Sequence, residues 1–147
     1  MEHEDYMREA LVLAKEAAAA GDVPVGCVIV HEGEIIARGR NRREEDNNAL
    51  AHAELEAIAE ACRVLGGWRL TGCRMYVTLE PCPMCAGGII SARLPEVFYG
   101  AKDSGIGACG SVLNLFEENF RHKPKLRGGI LRAECAEVLS EFFTALR

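Results

Sequence analysis

Residues 75–85 read Met-Tyr-Val-Thr-Leu-Glu-Pro-Cys-Pro-Met-Cys, a stretch that predicts a β-strand leading directly into an α-helix. Its first five residues are β-branched, aromatic or apolar, as in a buried strand, and Pro81 ends that strand. Pro83 suits the first position of a helix, because it gives up no hydrogen bond there and presets the backbone angle. A strand followed at once by a helix is typical of an α/β fold.

The segments on both sides show the same alternation of strands and helices. Apolar residues at helical spacing predict helices over about Asp5–Ala20, Ala51–Leu65, Pro83–Ala92 and Leu131–Leu146. Apolar and β-branched runs predict strands at Val25–Val30, Ile35–Ala37, Met75–Leu79 and Val97–Tyr99, with a turn at residues 32–34 that pairs the first two as an antiparallel hairpin. Residues 102–129 have no clear period. We therefore expect a three-layer α/β/α domain whose later strands are parallel.

Length and composition restrict the class of protein. A chain of 147 residues, 49% apolar and 27% charged, is expected to form a single globular domain over residues 1–147. The net charge of −5 counts against a protein that coats nucleic acid, although a local basic patch stays compatible with it. No secretory signal and no membrane span are recognisable, so we expect a cytoplasmic protein.

Seven cysteines, an odd number in a chain without secretory features, favour reduced thiols or metal ligands over disulfide bonds. Five of them stand alone among apolar or small neighbours and are expected to pack as small apolar residues: Cys27, Cys62, Cys73, Cys109 and Cys135. Cys82 and Cys85 are different, because a spacing of three at a helix start turns both thiols to one side. The helix dipole there favours the thiolate form that a metal requires.

His52, at the start of the second predicted helix, supplies a candidate third ligand. Thiolates combined with an imidazole favour Zn²⁺, and three protein ligands leave the fourth tetrahedral position open, as in catalytic sites. Glu54 lies two residues after His52, so both can converge only if the ion lies off the end of the helix. We expect Glu54 to move protons between an activated water and a substrate rather than to bind the ion.

Two other interpretations of these residues stay open. A Cys-x-x-Cys pair in an α/β protein is also typical of thioredoxin-like redox proteins, but that function would leave His52 and Glu54 without a role. A closed structural zinc site would need a fourth ligand, and neither a second Cys-x-x-Cys pair nor a histidine pair supplies an obvious one.

The His-x-Glu and Pro-Cys-x-x-Cys signatures are those of the zinc deaminases that act on nucleobases. Over nearly its whole length the chain resembles the bacterial tRNA adenosine deaminase family of the cytidine deaminase superfamily. The matching segments are residues 23–26, 39–42, 76–82, 84–87, 100–103, 107–111, 129–131, 134–135 and 142–143. The zinc signature is common to the superfamily, whereas the 100–111 segment and the last helix favour this branch.

The resemblance implies a cytidine-deaminase-like fold with a mixed five-stranded sheet, one Zn²⁺ per chain and a homodimer that converts adenosine to inosine at the wobble position of tRNA. It implies that Asn41 hydrogen-bonds the purine, that Val25 and Ala53 line the base pocket, and that Asp103 contacts the anticodon loop. Asn41 and Asp103 are equally explicable as turn and loop residues. Further candidate contacts to the anticodon stem-loop are Arg42, Lys102, Phe142, Phe143 and Arg147.

The chain departs from the family pattern in two places. Residues 48–51 read Asn-Ala-Leu-Ala where the family has Asp-Pro-Thr-Ala, and only Arg147 represents the arginines that commonly follow the Phe142-Phe143 pair. We expect weaker tRNA binding or a smaller substrate from these changes. Two alternatives therefore remain: a free-base or nucleoside deaminase acting on guanine or cytosine, and a non-catalytic, zinc-stabilised RNA-binding module.

Overall fold

A computed structural model describes residues 1–146 and contains four α-helices and five β-strands within them. The helices are α1 (His3–Ala19), α2 (Ala53–Leu65), α3 (Pro83–Ser91) and α4 (Arg132–Ala145). The strands are β1 (Gly26–His31), β2 (Glu34–Arg40), β3 (Cys73–Leu79), β4 (Glu96–Ala101) and β5 (Lys125–Arg127), with a short 3₁₀ turn at Leu115–Glu117.

The five strands form one mixed sheet in the order β2-β1-β3-β4-β5. β1 pairs antiparallel with both β2 and β3, whereas β3, β4 and β5 run parallel. The predicted fold class is confirmed, including the antiparallel hairpin at the N-terminal end and the parallel later strands. The three-residue β5 falls in the interval 102–129, where the sequence predicted no element.

Helices cover both faces of the sheet, and each face has its own apolar core. On one face α1 and α4 pack on alternate residues of the strands, including Val28, Tyr76 and Phe98. On the other face α2 and α3 cover Ile29, Val77 and their neighbours. None of the helices within residues 1–146 combines the length and the apolar character needed to cross a membrane.

The first turn of α2 lies directly against β2 at Gly39. A Cβ atom at this position would overlap with the carbonyl oxygen of Ala53. Glycine therefore lets the helix start approach the sheet closely, which brings His52 and Glu54 to the end of the strands where Cys82 lies.

Candidate metal centre and active site

Two helix N-termini face each other beyond the carboxyl end of β3. His52 caps α2 with extended backbone angles (φ −92°, ψ 151°), so that helical geometry begins only at Ala53. Cys82 occupies the same capping position on α3 (φ −76°, ψ 173°), and Pro83 is the first helical residue. Because both capping side chains leave the helix ends, they can approach each other without distorting either helix.

The ligand atoms of His52, Cys82 and Cys85 all lie within 4.8 Å of one another. Nδ1 of His52 is 3.7 Å from Sγ of Cys82 and 3.4 Å from Sγ of Cys85. Usual bond lengths at a tetrahedral Zn²⁺ separate a nitrogen and a sulfur ligand by about 3.6 Å. The donor atoms and their spacing therefore fit one zinc ion, and within residues 1–146 no fourth His, Cys, Asp or Glu joins the group.

The two cysteine side chains behave as a coupled pair. A hydrogen bond from the Cys85 thiol lowers the pKa of Cys82 to about 4. The same contact, together with burial, raises the pKa of Cys85 well above its ordinary value. The lowered pKa of Cys82 favours the thiolate form that a metal ligand needs, and binding of a divalent cation would displace the protons that remain on the thiols.

Glu54 lies in the first turn of α2 and is only 4% exposed. Burial raises the pKa of this carboxyl group to about 7. Its oxygens do not belong to the cluster of three ligand atoms. A carboxyl group with this pKa can both accept and donate a proton near neutral pH, as a general acid and base must.

A cleft of about 170 Å³ opens over this cluster. The four residues that the resemblance assigned to substrate binding all line it, together with His52, Glu54 and Cys82; they are Val25, Asn41, Ala53 and Asp103. Another groove, of about 480 Å³, lies between α1 and α4 and is lined by neither cysteine nor histidine. The smaller cleft is the one in which the chemistry-bearing side chains meet.

Asn41 is 8% exposed, and part of its hydrogen-bonding capacity is already used. Its Nδ2 donates to the carbonyl oxygen of Val23 (3.2 Å), and its Oδ1 accepts from the amide of Arg43 (3.1 Å). An asparagine side chain has two donor hydrogens and two acceptor lone pairs, so one of each remains. Asn41 is therefore both a turn residue and a residue that lines the cleft.

The family model described as MafB19-like deaminase matches residues 1–147. The chain belongs to this deaminase family. A tRNA-specific adenosine deaminase of Bacillus subtilis is 50% identical over 143 residues, 97% of this chain and 89% of the relative. A solved structure from studies of A-to-I editing by tRNA:A34 deaminases has a TM-score of 0.89 and 43% identity, covering 92% of this deaminase and 99% of that chain. A solved structure of a guanine deaminase from Bacillus subtilis has a TM-score of 0.67 and 44% identity, covering 73% of this deaminase and 72% of that chain.

Of the candidate RNA contacts, the four within residues 1–146 do not line the cleft of this deaminase: Arg42, Lys102, Phe142 and Phe143. Lys102 is exposed, while Arg42 forms ion pairs with Glu56 (2.9 Å) and Glu45 (3.0 Å). Phe142 and Phe143 meet edge to face on α4, and Phe143 is 45% exposed. Arg147 lies outside the described residues.

Glu80, which was not predicted from the sequence as a site residue, also lines the cleft of the deaminase and is 2% exposed. Burial alone would raise its pKa, but hydrogen bonds from the Ser111 hydroxyl and from the amides of Asp103, Cys109 and Ser111 hold the pKa below its ordinary value. The available signal was a carboxylate placed immediately after the apolar run of β3, where a buried position was already expected.

Proposed function

We propose that this deaminase converts adenosine to inosine at the wobble position of a tRNA, with one Zn²⁺ held by His52, Cys82 and Cys85. The observation that carries the proposal is the placement of these ligand atoms beside the buried Glu54 at the floor of one cleft. The choice of adenosine in tRNA is supported by the 50% identity to the Bacillus subtilis tRNA-specific adenosine deaminase.

The proposed reaction consumes water and releases ammonia. When bound, Zn²⁺ supplies a Lewis acid that lowers the pKa of water and so provides a nucleophile near neutral pH. Glu54 takes a proton from the attacking water while the water oxygen bonds to C6 of the adenine. Glu54 then delivers that proton to N1. In the next step Glu54 takes the remaining proton from the hydroxyl now on C6 and transfers it to the exocyclic amine, so that the C6–N bond breaks as the carbonyl forms, and inosine and ammonia are produced.

Residues that line the cleft around the ligand cluster would bind the nucleotide. Asn41 retains one donor and one acceptor, which suits the edge of adenine, and Val25 and Ala53 offer apolar contact to the ring. The Asp103 carboxylate can accept a hydrogen bond from a ribose 2′-hydroxyl, which would favour RNA. The wobble base would have to leave its stack and enter the cleft.

An assay on the purified protein tests this function. A synthetic anticodon stem-loop with adenosine at the wobble position should yield inosine, measured by mass spectrometry of the digested nucleosides. Guanine is the second candidate substrate, favoured by the 44% identity to a solved guanine deaminase. Ammonia release from guanine, cytosine and adenosine, measured in parallel, would replace the first proposal if it exceeded release from the stem-loop. RNA binding without any turnover would support the non-catalytic alternative.

We also propose that residues 1–147 form one domain, that two copies associate as a homodimer and that the protein acts in the cytoplasm, where its proposed tRNA substrate is found. Sedimentation of the zinc-loaded protein tests the dimer, and a monomeric mass at micromolar concentration would contradict it.

A further inference from the structure

The carboxylate of Glu80 holds a loop that is distant from it in sequence. Glu80 follows the last residue of β3, and its Oε1 accepts hydrogen bonds from the amide of Asp103 (3.1 Å) and the hydroxyl of Ser111. Its Oε2 accepts from the amides of Cys109 (2.9 Å) and Ser111 (3.1 Å). Glu80 takes part in none of the ion pairs within residues 1–146, so backbone and hydroxyl donors balance its buried charge.

The loop, residues 103–111, is wrapped around this carboxylate. A Cβ atom at Gly107 would overlap with the carboxylate of Glu80 and with the carbonyl oxygen of Asp103. The amide of Gly107 donates to that same carbonyl oxygen (2.8 Å), and the amide of Ala108 donates to the carbonyl oxygen of Pro81 (2.8 Å). Only a residue without a side chain fits at 107, which indicates a close and specific contact between carboxylate and loop.

The same loop forms one wall of the cleft. Of the residues in this loop, Asp103 and Ile106 line the cleft, and the lining also includes His52 and Glu54. Oδ1 of Asp103 accepts from the amides of Gly105 (3.1 Å) and Ile106 (3.3 Å), so the side chain of Asp103 and the backbone at Ile106 are positioned together. The Glu80 carboxylate therefore links the strand that leads to Cys82 to this wall through four hydrogen bonds, beside the single backbone bond from Ala108 to Pro81.

We propose that Glu80 is a positioning residue that fixes the 103–111 loop and thereby sets the affinity of the cleft for its nucleotide substrate. This inference rests on the proposed deaminase function. The ligand cluster depends on the two helix N-termini and not on the loop, so loss of the Glu80 carboxylate should affect binding far more than the chemical step. A group that contributes equally to ground-state and transition-state binding raises KM when it is removed and leaves kcat unchanged.

Glu80→Gln keeps the size of the side chain but replaces one acceptor oxygen with a donor amide. That amide would face backbone N–H groups, which leaves at least one buried donor without a partner. We expect KM for the stem-loop to rise about tenfold or more while kcat stays within about threefold and zinc content is unchanged. Ser111→Ala removes only the hydroxyl donor and should raise KM about two- to threefold. Glu80→Asp keeps the charge and should fall between the two.

Glu118→Gln provides a matched control, because it makes the same chemical change on an exposed side chain beyond the loop. Its KM and kcat should equal those of the unmodified protein. An unchanged KM in Glu80→Gln would overturn the proposal. A fall in kcat with loss of zinc at constant KM would also overturn it, because the carboxylate would then support the metal centre instead of the loop.

Amide hydrogen exchange supplies a second readout that requires no substrate and can be made on Ser111→Ala if Glu80→Gln does not fold. The amides of Asp103, Cys109 and Ser111 should exchange slowly in the unmodified protein and at least about tenfold faster in the variants. Equal exchange rates would contradict the proposal. If the unmodified protein acts on guanine rather than on the stem-loop, the proposed function fails, and the KM and kcat comparison is made with guanine.

Discussion

The floor and the walls of the cleft are built in different ways. The floor consists of side chains at the first residues of α2 and α3, where each helix is anchored in an apolar core. The walls include two irregular segments, residues 41–47 and residues 103–111, and each contributes two residues to the cleft lining. Each segment is held by one buried carboxylate from elsewhere in the chain. Asp22, 1% exposed, accepts from the amides of Glu44 (2.7 Å) and Glu45 (3.1 Å), as Glu80 does for the 103–111 loop.

We infer from this difference that the floor serves the chemical step and the walls serve substrate binding. Atoms that must share one ion need distances fixed to within a fraction of an ångström, and regular helices packed on a sheet provide them. Loops that contact a substrate can be held by a few hydrogen bonds, which are easier to change without moving the floor. We therefore expect changes at the floor to abolish turnover and changes at the walls to alter binding.

Removal of the metal should have the largest effect. Dialysis against a chelator should reduce deamination to background, and added Zn²⁺ should restore it, because an amino-acid side chain cannot replace the ion as the Lewis acid. Cys85→Ala should reduce zinc content, measured by atomic emission, and turnover together. Cys62→Ala, a change at a half-buried thiol outside the cluster, should retain both. Full activity in the metal-free protein would refute the assignment.

Glu54→Gln should lower kcat by about 10² to 10⁴, the range expected on loss of a general acid and base. Zinc content should stay at one ion per chain, because Glu54 does not belong to the ligand cluster. Glu32→Gln, in a turn where the side chain is 85% exposed, is the matched control and should leave kcat unchanged. Retention of more than a tenth of the rate by Glu54→Gln would assign proton transfer to another residue.

Asp22→Asn tests the second wall. The amide would oppose one of the two backbone donors, so the free energy of unfolding should fall by about 2 kcal/mol, and KM should rise more than kcat falls. Asp46→Asn changes an exposed carboxylate in the same segment and should alter stability by less than about 0.5 kcal/mol. Chemical denaturation measures the free energy of unfolding of both variants. Equal stability of the two would show that the Asp22 carboxylate does not hold this segment.

The smallest effects should come from surface charges near the cleft. Lys102 is exposed and belongs to none of the ion pairs described for residues 1–146, so Lys102→Ala should reduce the slope of log affinity against log salt for the stem-loop by about one. Arg42→Ala should change the slope less, because Glu45 and Glu56 already pair with that guanidinium. Fluorescence anisotropy at several salt concentrations measures these slopes. A larger change of slope in Arg42→Ala than in Lys102→Ala would contradict the prediction and make Arg42 the stronger phosphate contact.

Periodicity was sufficient to predict the elements that pack on a core. The helices at Ala53–Leu65 and Pro83–Ser91 begin and end within two residues of their predicted limits, since each has an apolar face and a proline or glycine at one end. β5 was not predictable, because three residues at a sheet edge have no period of their own and are strand only through pairing with β4.

The ligand cluster could be predicted because its members belong to two short motifs at helix starts, His52 with Glu54 and Cys82 with Cys85, and the two motifs together are the signature of the zinc deaminases. The roles of Glu80 and Asp22 could not, since each carboxylate accepts from amides more than twenty positions away. Local sequence carries no record of such a pairing. Asn41 lies between these cases: its turn hydrogen bond to Arg43 is local, whereas its position in the cleft depends on the sheet.

The absence of a side chain at Gly39 couples two functions that are otherwise separate. The same helix turn that rests on this position carries the imidazole of His52 and the carboxylate of Glu54. A single added methyl group would lift that turn from the sheet, so metal capture and proton transfer would fail together. Gly39 thus supports both functions from an outer strand, although it does not itself line the cleft.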